Sequence, residues 1–539
     1  MKVPDKAKEE GLLDYAERLS ELYAGSSDAR VRKLKGQFFT PKQVGAFMAG
    51  LFEVPRGTVR LLDPGAGTGV LTAAFCERLL SSDEIVDLTV DVYENEPAFL
   101  PFLEAVMKSC KEELEEREHS FGFNIYVRDF ILSNSRYFRK TDLLRGGEKS
   151  VLYDFVISNP PYYKLNKDSP QSEAIMELVS GQPNIYALFM AVSASMVKLG
   201  GEMVFISPRS FCSGLYYKKF REWFLDNVRI KNVHIFESRK GIFDRDEVLQ
   251  ENIILKAKKL NRVSEHEKGN VIVSISENKD FSQLRKIEVP YADVICSRNG
   301  ALFIRIPSSA LDVDILHIVD KWSNTLEELG LEISTGPVVP FRAEEYLLPE
   351  LTKKPDSAPL LWMHNMQDMR VVWPLKKNEK ASAIRVCAGT APLLLPVKNY
   401  VLVKRFSSKE QKRRLYVAVL LESDFPYETV GIENHVNYIH RPNGNLSEHE
   451  AFGIAAILNT TVVDSYFRSL NGNTQVNASD IRNLPFPSIG EIKEIGKLVY
   501  ESQSYRNGFN LDNIVAGVLG INSEIIKNLN KGETKNGQS

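Results

Sequence analysis

Paired cysteines are missing from this chain: the five present, Cys76, Cys110, Cys212, Cys296 and Cys387, are scattered over 539 residues without a Cys-x-x-Cys spacing. That excludes a zinc ribbon or a disulfide framework and suits a reducing cytoplasm. The eight histidines show no ligand spacing either, so no metal is expected. No apolar run approaches the roughly 20 residues that span a bilayer. The opening decapeptide Met1–Glu10 has no apolar core of a signal peptide, and a membrane partner is not expected. An excess of one charge is also lacking. Lys and Arg number 68 against 70 Asp and Glu, a net charge of −2, so any nucleic-acid surface must be local rather than global. What remains is ordinary for a globular enzyme, 43% hydrophobic and 26% charged. At about 100–200 residues per domain the length predicts two to four domains.

Residues 1–30 read as one amphipathic helix (Leu12, Tyr15, Leu19, Leu22, Tyr23) closed by a Gly-Ser-Ser-Asp break. From Val59 strands and helix-length segments alternate. Strands are predicted at Val59–Asp63, Leu88–Glu94, Asn124–Asp129, Tyr153–Ser158, Gly201–Ser207, Lys231–Glu237 and Asn252–Ala257. Helices are predicted after the first strand to Leu80 and over 97–117, 185–198 and 216–227. That rhythm is a parallel, doubly wound α/β sheet. It stops near Asn261, where short β-rich stretches and proline-bearing loops take over. The expected domains are a helical extension (1–30), a catalytic domain (31–260), a mixed α/β domain (261–520) and a polar, disordered tail (521–539).

Two motifs carry chemistry. Asp63-Pro-Gly-Ala-Gly-Thr-Gly69 lies between a strand and a helix, where glycines let backbone approach a ligand. The Gly-Lys-Ser/Thr ending of a phosphate loop is missing. Glu94, at the end of the next strand, is placed to accept both hydroxyls of a ribose. Ser158-Asn159-Pro160-Pro161-Tyr162 follows the fourth strand, at the sheet edge where such folds bind ligands. It offers acceptors rather than a base. The Asn159 side-chain oxygen and the Pro160 carbonyl can each take one hydrogen of an aryl amine, and so aim its lone pair outward. Pro160 and Pro161 fix the backbone, and Tyr162 offers a ring for a base to stack on.

These two motifs resemble the Asp-Pro-x-x-Gly-x-Gly and Asn-Pro-Pro-Tyr motifs of the amino-methyltransferases of bacterial restriction–modification systems. Gly36-Gln-Phe-Phe-Thr-Pro41 resembles that family's cofactor-lid motif, and Asp129-Phe130 its adenine-of-cofactor motif. Only about 30 residues separate Asp129 from Asn159, too few for an inserted domain. The motif order is therefore similar to the gamma arrangement of the Taq-type N6-adenine methylases. The resemblance implies a Rossmann-like S-adenosyl-L-methionine-dependent domain followed by a DNA target-recognition domain. It implies cofactor contacts from Phe39, Thr40, Asp63, Gly65, Ala66, Gly67, Glu94, Asp129, Phe130 and Asn159. Thr40 reads equally as a helix N-cap ahead of Pro41, and both roles are compatible. The target adenine must leave the duplex for its N6 to reach the cofactor. Phe243 is the matching position for a second stacking ring, or else a hairpin-tip core residue.

The implied partner is double-stranded DNA in the bacterial or archaeal cytoplasm, at the nucleoid. With no nuclease pattern in the chain, a companion endonuclease acting on the same site would be encoded separately. In the C-terminal half, Asn473, Gln475 and Asn477 lie in a stretch resembling target-recognition loops, where such side chains read purine edges. A solvated polar loop fits them too. Lys404, Arg405, Lys412, Arg413 and Arg414 suit phosphates or a solvated helix face. Methylation of structured RNA or of protein glutamine, and a catalytically dead DNA-specificity subunit, are the rival functions. The large C-terminal half opposes the glutamine reading, and the complete motifs oppose the last.

Overall fold

The computed structural model describes residues 3–138, 151–237, 251–260, 269–352, 356–375, 380–407, 411–472, 474–503 and 511–536. The chain divides into two compact units, Met1–Ser308 and Ser309–Ser539.

The first unit is built on a nine-stranded sheet. Its strands are β1 (Gly57–Pro64), β2 (Val86–Tyr93), β3 (Ser120–Tyr126), β4 (Tyr153–Ser158), β5 (Val197–Pro208), β6 (Val228–Phe236), β7 (Asn252–Lys259), β8 (Asn270–Ser276) and β9 (Arg285–Pro290), in the order β3-β2-β1-β4-β5-β7-β6-β8-β9. Strands β3 to β5 run parallel, and β7 is antiparallel to both β5 and β6. The central strands read as continuous apolar runs because helices cover both faces; Leu61, Leu62, Val90, Val92, Val156 and Ile157 are fully buried. Helices α1 (Leu12–Ser26), α2 (Ala29–Leu34), α3 (Lys42–Gly50), α4 (Val70–Leu80), α5 (Leu100–Glu116), α6 (Phe130–Phe138), α7 (Pro170–Ala174), α8 (Ile185–Met196) and α9 (Lys218–Asn227) complete this α/β layer structure. Of these, α1, α3, α4 and α5 pack on one another, as do α6, α8 and α9. From β1 the chain builds outward to β3 on one side, and from β4 to β5 on the other. The carboxyl ends of β1 and β4 therefore flank the switch point, where a doubly wound sheet opens a crevice.

Several boundaries differ from the sequence reading; the fifth strand begins at Val197 and the sixth at Val228, each a few residues early. The third strand begins at Ser120, four residues early, because His119 Nδ1 accepts the Val86 amide (3.2 Å) and starts the pairing with β2 there. The first unit does not end at 260. β8 joins β6 in parallel through buried Val271, Val273 and Ile275, and β9 follows it. β9 is added to β8 as an antiparallel neighbour without a helical crossover, so the βαβ rhythm ends before the sheet does. The N-terminal segment is no separate extension either. It breaks at Ser27, Asp28 caps α2, and α1 lies on α4 and α5, with the Leu13 amide donating to Glu77 (2.8 Å).

The second unit is the mixed α/β body expected, with a six-stranded and a five-stranded sheet plus helices. Glu448–Leu458 and Ile489–Glu501 pack so closely that a Cβ at Gly453 would stand 1.9 Å from the Ile492 carbonyl. The tail expected to be disordered forms the helix Ser523–Asn536, because Ile526 and Leu529, three apart, are buried.

Candidate active site

The glycine turn leaves β1 at Pro64 and enters α4 at Val70, with Gly65, Gly67 and Gly69 at positive φ (76°, 56° and 93°). Its amides are not free for a ligand. Gly65 and Ala66 both donate to the Tyr93 carbonyl (2.8 and 3.1 Å), and Gly67 donates to Glu94 Oε2 (2.9 Å). The turn is thus sewn to the end of β2, and its glycines serve close approach rather than amide donation. A phosphate group would find no amide cradle here and a carboxylate beside it.

Glu94 is 6% exposed and accepts from the Gly67 and Glu96 amides (2.9 and 2.8 Å). Burial raises its pKa, and those amides oppose the rise. A carboxylate has about four acceptor positions, so capacity remains, and Glu94 lines the cavity. Asp63 lies deeper, fully buried behind the turn. One oxygen accepts from Thr72 Oγ1 (2.8 Å), and the other has no hydrogen-bond partner. Burial pushes its pKa up to about 7.

The Asn-Pro-Pro-Tyr loop faces this turn across the switch point. Ser158 Oγ donates to the Pro64 carbonyl (2.7 Å), tying the ends of β4 and β1 together. A Cβ on Gly65 would stand 3.9 Å from the Asn159 carbonyl and 3.6 Å from the Phe189 ring. Asn159 Nδ2 donates to the Phe38 carbonyl (2.8 Å) and to Thr40 Oγ1 (3.0 Å). The Tyr162 hydroxyl lies 2.6 Å from Asn159 Oδ1 and 3.0 Å from the Ile206 carbonyl, two acceptors sharing one proton. Burial holds the phenol pKa well above its usual value, so this hydroxyl stays a donor. The Tyr162 ring is not open for stacking as expected. It is 7% exposed and lies 5.4 Å from the Phe38 ring at 30°.

One cavity of about 460 Å³ joins the turn, the loop and the lid, within the usual range for a small-molecule site. Phe39, Gly65, Gly67, Glu94, Asp129, Phe130, Asn159 and Pro161 of the anticipated set line it. Thr40, Asp63, Ala66, Pro160 and Tyr162 do not. Pro41, not Thr40, occupies the N-cap of α3, because the Thr40 hydroxyl is engaged by Asn159. Asp129 accepts the Leu132 amide at the start of α6 (2.8 Å) and Gln171 Nε2 (2.9 Å). Phe130 is buried 5.1 Å from both the Tyr93 and Phe189 rings. The sequence reading missed Lys35, Glu96, Phe99, Arg128, Tyr163, Ile185 and Phe189, all in the lining. Lys35 and Glu96 form an ion pair there. Of these, Lys35, Arg128 and Tyr163 adjoin motif residues, and that adjacency was their signal.

S-adenosyl-L-methionine fits these groups. Phe39, Phe99, Phe130 and Phe189 supply apolar surface for a purine, and Glu94 and Asp129 supply acceptors. Three carboxylates (Glu94, Glu96, Asp129) stand against two cations (Lys35, Arg128), a balance that suits a sulfonium and not a phosphate.

The basic residues of the second unit are placed differently. Arg414 is 1% exposed; its guanidinium donates to Ser407 Oγ and the Asn471 carbonyl (both 3.1 Å) and lies over the Phe467 ring. It is a core residue and no phosphate contact. Arg413 donates to the Asn459 carbonyl and Arg405 to that of Asn434, while Lys404 lies over the Tyr416 ring, its pKa lowered by burial. Lys412 is exposed. Asn477 caps the helix Ala478–Arg482, its backbone and side-chain amides donating to Asp480 (2.8 and 3.3 Å). Gln475 pairs with Phe406 in an isolated bridge. Phe243 and Asn473 lie outside the described residues.

Residues 89–243 match the Eco57I restriction-modification methylase family. The chain is 36% identical to Type II methyltransferase M.BsuBI of Bacillus subtilis over 87% of its own length and 90% of that protein. It is 34% identical to Type II methyltransferase M.PstI of Providencia stuartii, over 88% and 90% respectively. Among solved structures, the DrdV–DNA complex aligns with a TM-score of 0.46 at 12% identity, covering 90% of this chain and 59% of that one.

Proposed function

We propose, from the premise that the chain belongs to the Type II DNA methyltransferases of restriction–modification systems, that it methylates N6 of an adenine swung out of duplex DNA. The observation that carries this reading is Asn159, at the end of β4 in the cavity wall, set across from the glycine turn. An amine needs its hydrogens accepted. The Asn159 side-chain oxygen takes one and the Pro160 carbonyl the other, which draws the nitrogen toward tetrahedral geometry and frees its lone pair. When bound, S-adenosyl-L-methionine would supply an electrophilic methyl group with a neutral thioether as its leaving group. Asn159 then carries the developing positive charge on nitrogen through its amide dipole. The proton becomes acidic only after transfer, so water suffices to remove it. Methylation of ring carbon, by contrast, calls for a thiol nucleophile, and the described cavity lining holds no cysteine. Positioning supplies most of the acceleration.

Glu94 binds the ribose hydroxyls, Asp129 the cofactor's amine, and Phe130 its ring. The Tyr162 ring stacks on the extruded base once Phe38 has moved aside. Target recognition belongs to the second unit, where exposed Lys412 remains the candidate for a phosphate. A separately encoded endonuclease cutting the same site is the expected companion, and the substrate places both at the nucleoid in the cytoplasm.

Labelled cofactor offered side by side to duplex DNA, RNA and protein, followed by nucleoside analysis, tests the reading. N6-methyladenine from duplex DNA is expected. Label as N4-methylcytosine, in RNA or in protein overturns the adenine assignment.

A further inference from the structure

We propose that Thr40 is a positioning residue for transfer and not a cofactor contact. This rests on the reading of Asn159 as the amine acceptor, and on an ambiguity of the asparagine amide. Its oxygen and nitrogen ends are nearly the same shape, so nothing in Asn159 itself decides which end meets the amine. The Phe38 carbonyl, which can only accept, and the Tyr162 hydroxyl, which donates to Oδ1 (2.6 Å), set it, and Thr40 holds the amide in that position. Both hydrogens of Nδ2 are taken, one by the Phe38 carbonyl (2.8 Å) and one by Thr40 Oγ1 (3.0 Å), and Oδ1 is thereby turned the other way. With Nδ2 facing the reaction, two donors would meet and transfer would stop.

Two further features tie the same segment to the loop. The Tyr162 amide donates to the Gly36 carbonyl (3.1 Å). Gly36 has φ +63°, and a Cβ there would stand 2.6 Å from the Tyr162 nitrogen. Residues 36, 38 and 40 thus touch the loop, while Phe39 sits against Phe99 (5.7 Å) in the cavity wall. Thr40 itself is 7% exposed and does not line the cavity. One short segment therefore lines the cofactor cavity with Phe39 and holds the Asn159 amide in place with Thr40.

The test compares Thr40→Val, which keeps the shape and loses the hydroxyl, with Thr40→Ser, which keeps the hydroxyl. Turnover is counted as label transferred to duplex DNA, whichever nitrogen takes it, and cofactor affinity is measured by calorimetry on the same preparations. The expected result is a kcat lowered about tenfold to a hundredfold in Thr40→Val, a cofactor Kd within about twofold of wild type, and near-complete rescue in Thr40→Ser. A raised Kd with kcat unchanged would make Thr40 a cofactor contact and overturn the proposal, as would unchanged values of both. Should Thr40→Val not fold, Thr40→Ala against Thr40→Ser decides on the same criteria. Wild-type enzyme that labels DNA elsewhere than adenine N6 contradicts the adenine assignment alone, and the Thr40 comparison still reads out.

Discussion

Two sets of charged side chains, Glu94 and Asp129 in the first unit and Arg405, Arg413 and Arg414 in the second, all bind neighbouring backbone. They differ in what is left over. Each carboxylate accepts two donors and keeps lone pairs beside a cavity. The Arg414 guanidinium, at 1% exposure, donates to Ser407 and Asn471 inside the unit. A charge held by backbone becomes a binding group only when a cavity or the surface adjoins it. Otherwise the same bonds make it part of the core.

The strongest way to break this comparison is within the first unit itself. Asn159→Ala should lower turnover on the order of a thousandfold, the scale of losing one preorganised group at a developing charge. Cofactor and DNA affinity should stay within a few-fold, since Asn159 acts on the transition state. Glu94→Gln should do the reverse. It should raise the cofactor Kd at least about tenfold, the loss of charge-assisted hydrogen bonds, and leave kcat at saturating cofactor much less affected. Rapid-quench transfer rates beside calorimetry separate the two. Equal losses of kcat in both variants would erase the division between accepting the amine and holding the cofactor.

In the second unit the contrast is between Arg414 and Lys412, two residues apart. Arg414→Met should destabilise the protein by about 2–3 kcal/mol, because a buried carbonyl and a hydroxyl lose their donor. It should leave the salt dependence of DNA binding unchanged. Lys412→Gln should leave thermal stability unchanged and, if Lys412 neutralises a phosphate, reduce the slope of log K against log salt by about 0.9. A slope that moves with Arg414 and not with Lys412 would overturn the division between core and surface made here.

The motifs were legible where backbone chemistry fixed them. Glycines at positive φ and prolines after a strand end can sit in few places in a doubly wound sheet, so 63–69 and 158–162 fell on either side of the switch point. The lining residues Phe99, Ile185 and Phe189 were illegible because any buried helix carries such side chains, and only the packing of α5 and α8 brings them to the cavity. The arginines misled for a related reason. Lys-Arg runs look alike whether their neighbours are phosphates or carbonyls, and the carbonyl partners of Arg413 and Arg414 lie 46 and 57 positions away. The domain boundary at 260 failed because the crossover rhythm that defined the sheet is absent between its last two strands. The tail was misjudged because Ile526 and Leu529 are few among many polar residues.

The remaining prediction concerns Asp63, whose role is the least obvious from its position in the motif. It lies beneath the glycine turn, fully buried, bound to Thr72 and absent from the cavity wall. On that geometry it belongs with Arg414, as part of the scaffold. Burial raises its pKa to about 7, from an ordinary value near about 4. A group whose folded pKa is raised contributes stability that is fully present below the unfolded value and is lost as pH rises through the folded one. Wild type should therefore lose stability relative to Asp63→Asn between about pH 4 and 7, by no more than about 1.4 kcal/mol per pH unit. Above about pH 7 the difference should level off. Thermal melts of the two proteins without cofactor, across this range, give the difference directly. A difference that is flat with pH would mean that Asp63 stays ionised throughout, and burial would not govern it. The same variant should bind cofactor within a few-fold of wild type. A loss as large as that of Glu94→Gln would move Asp63 out of the scaffold and into direct contact with the cofactor.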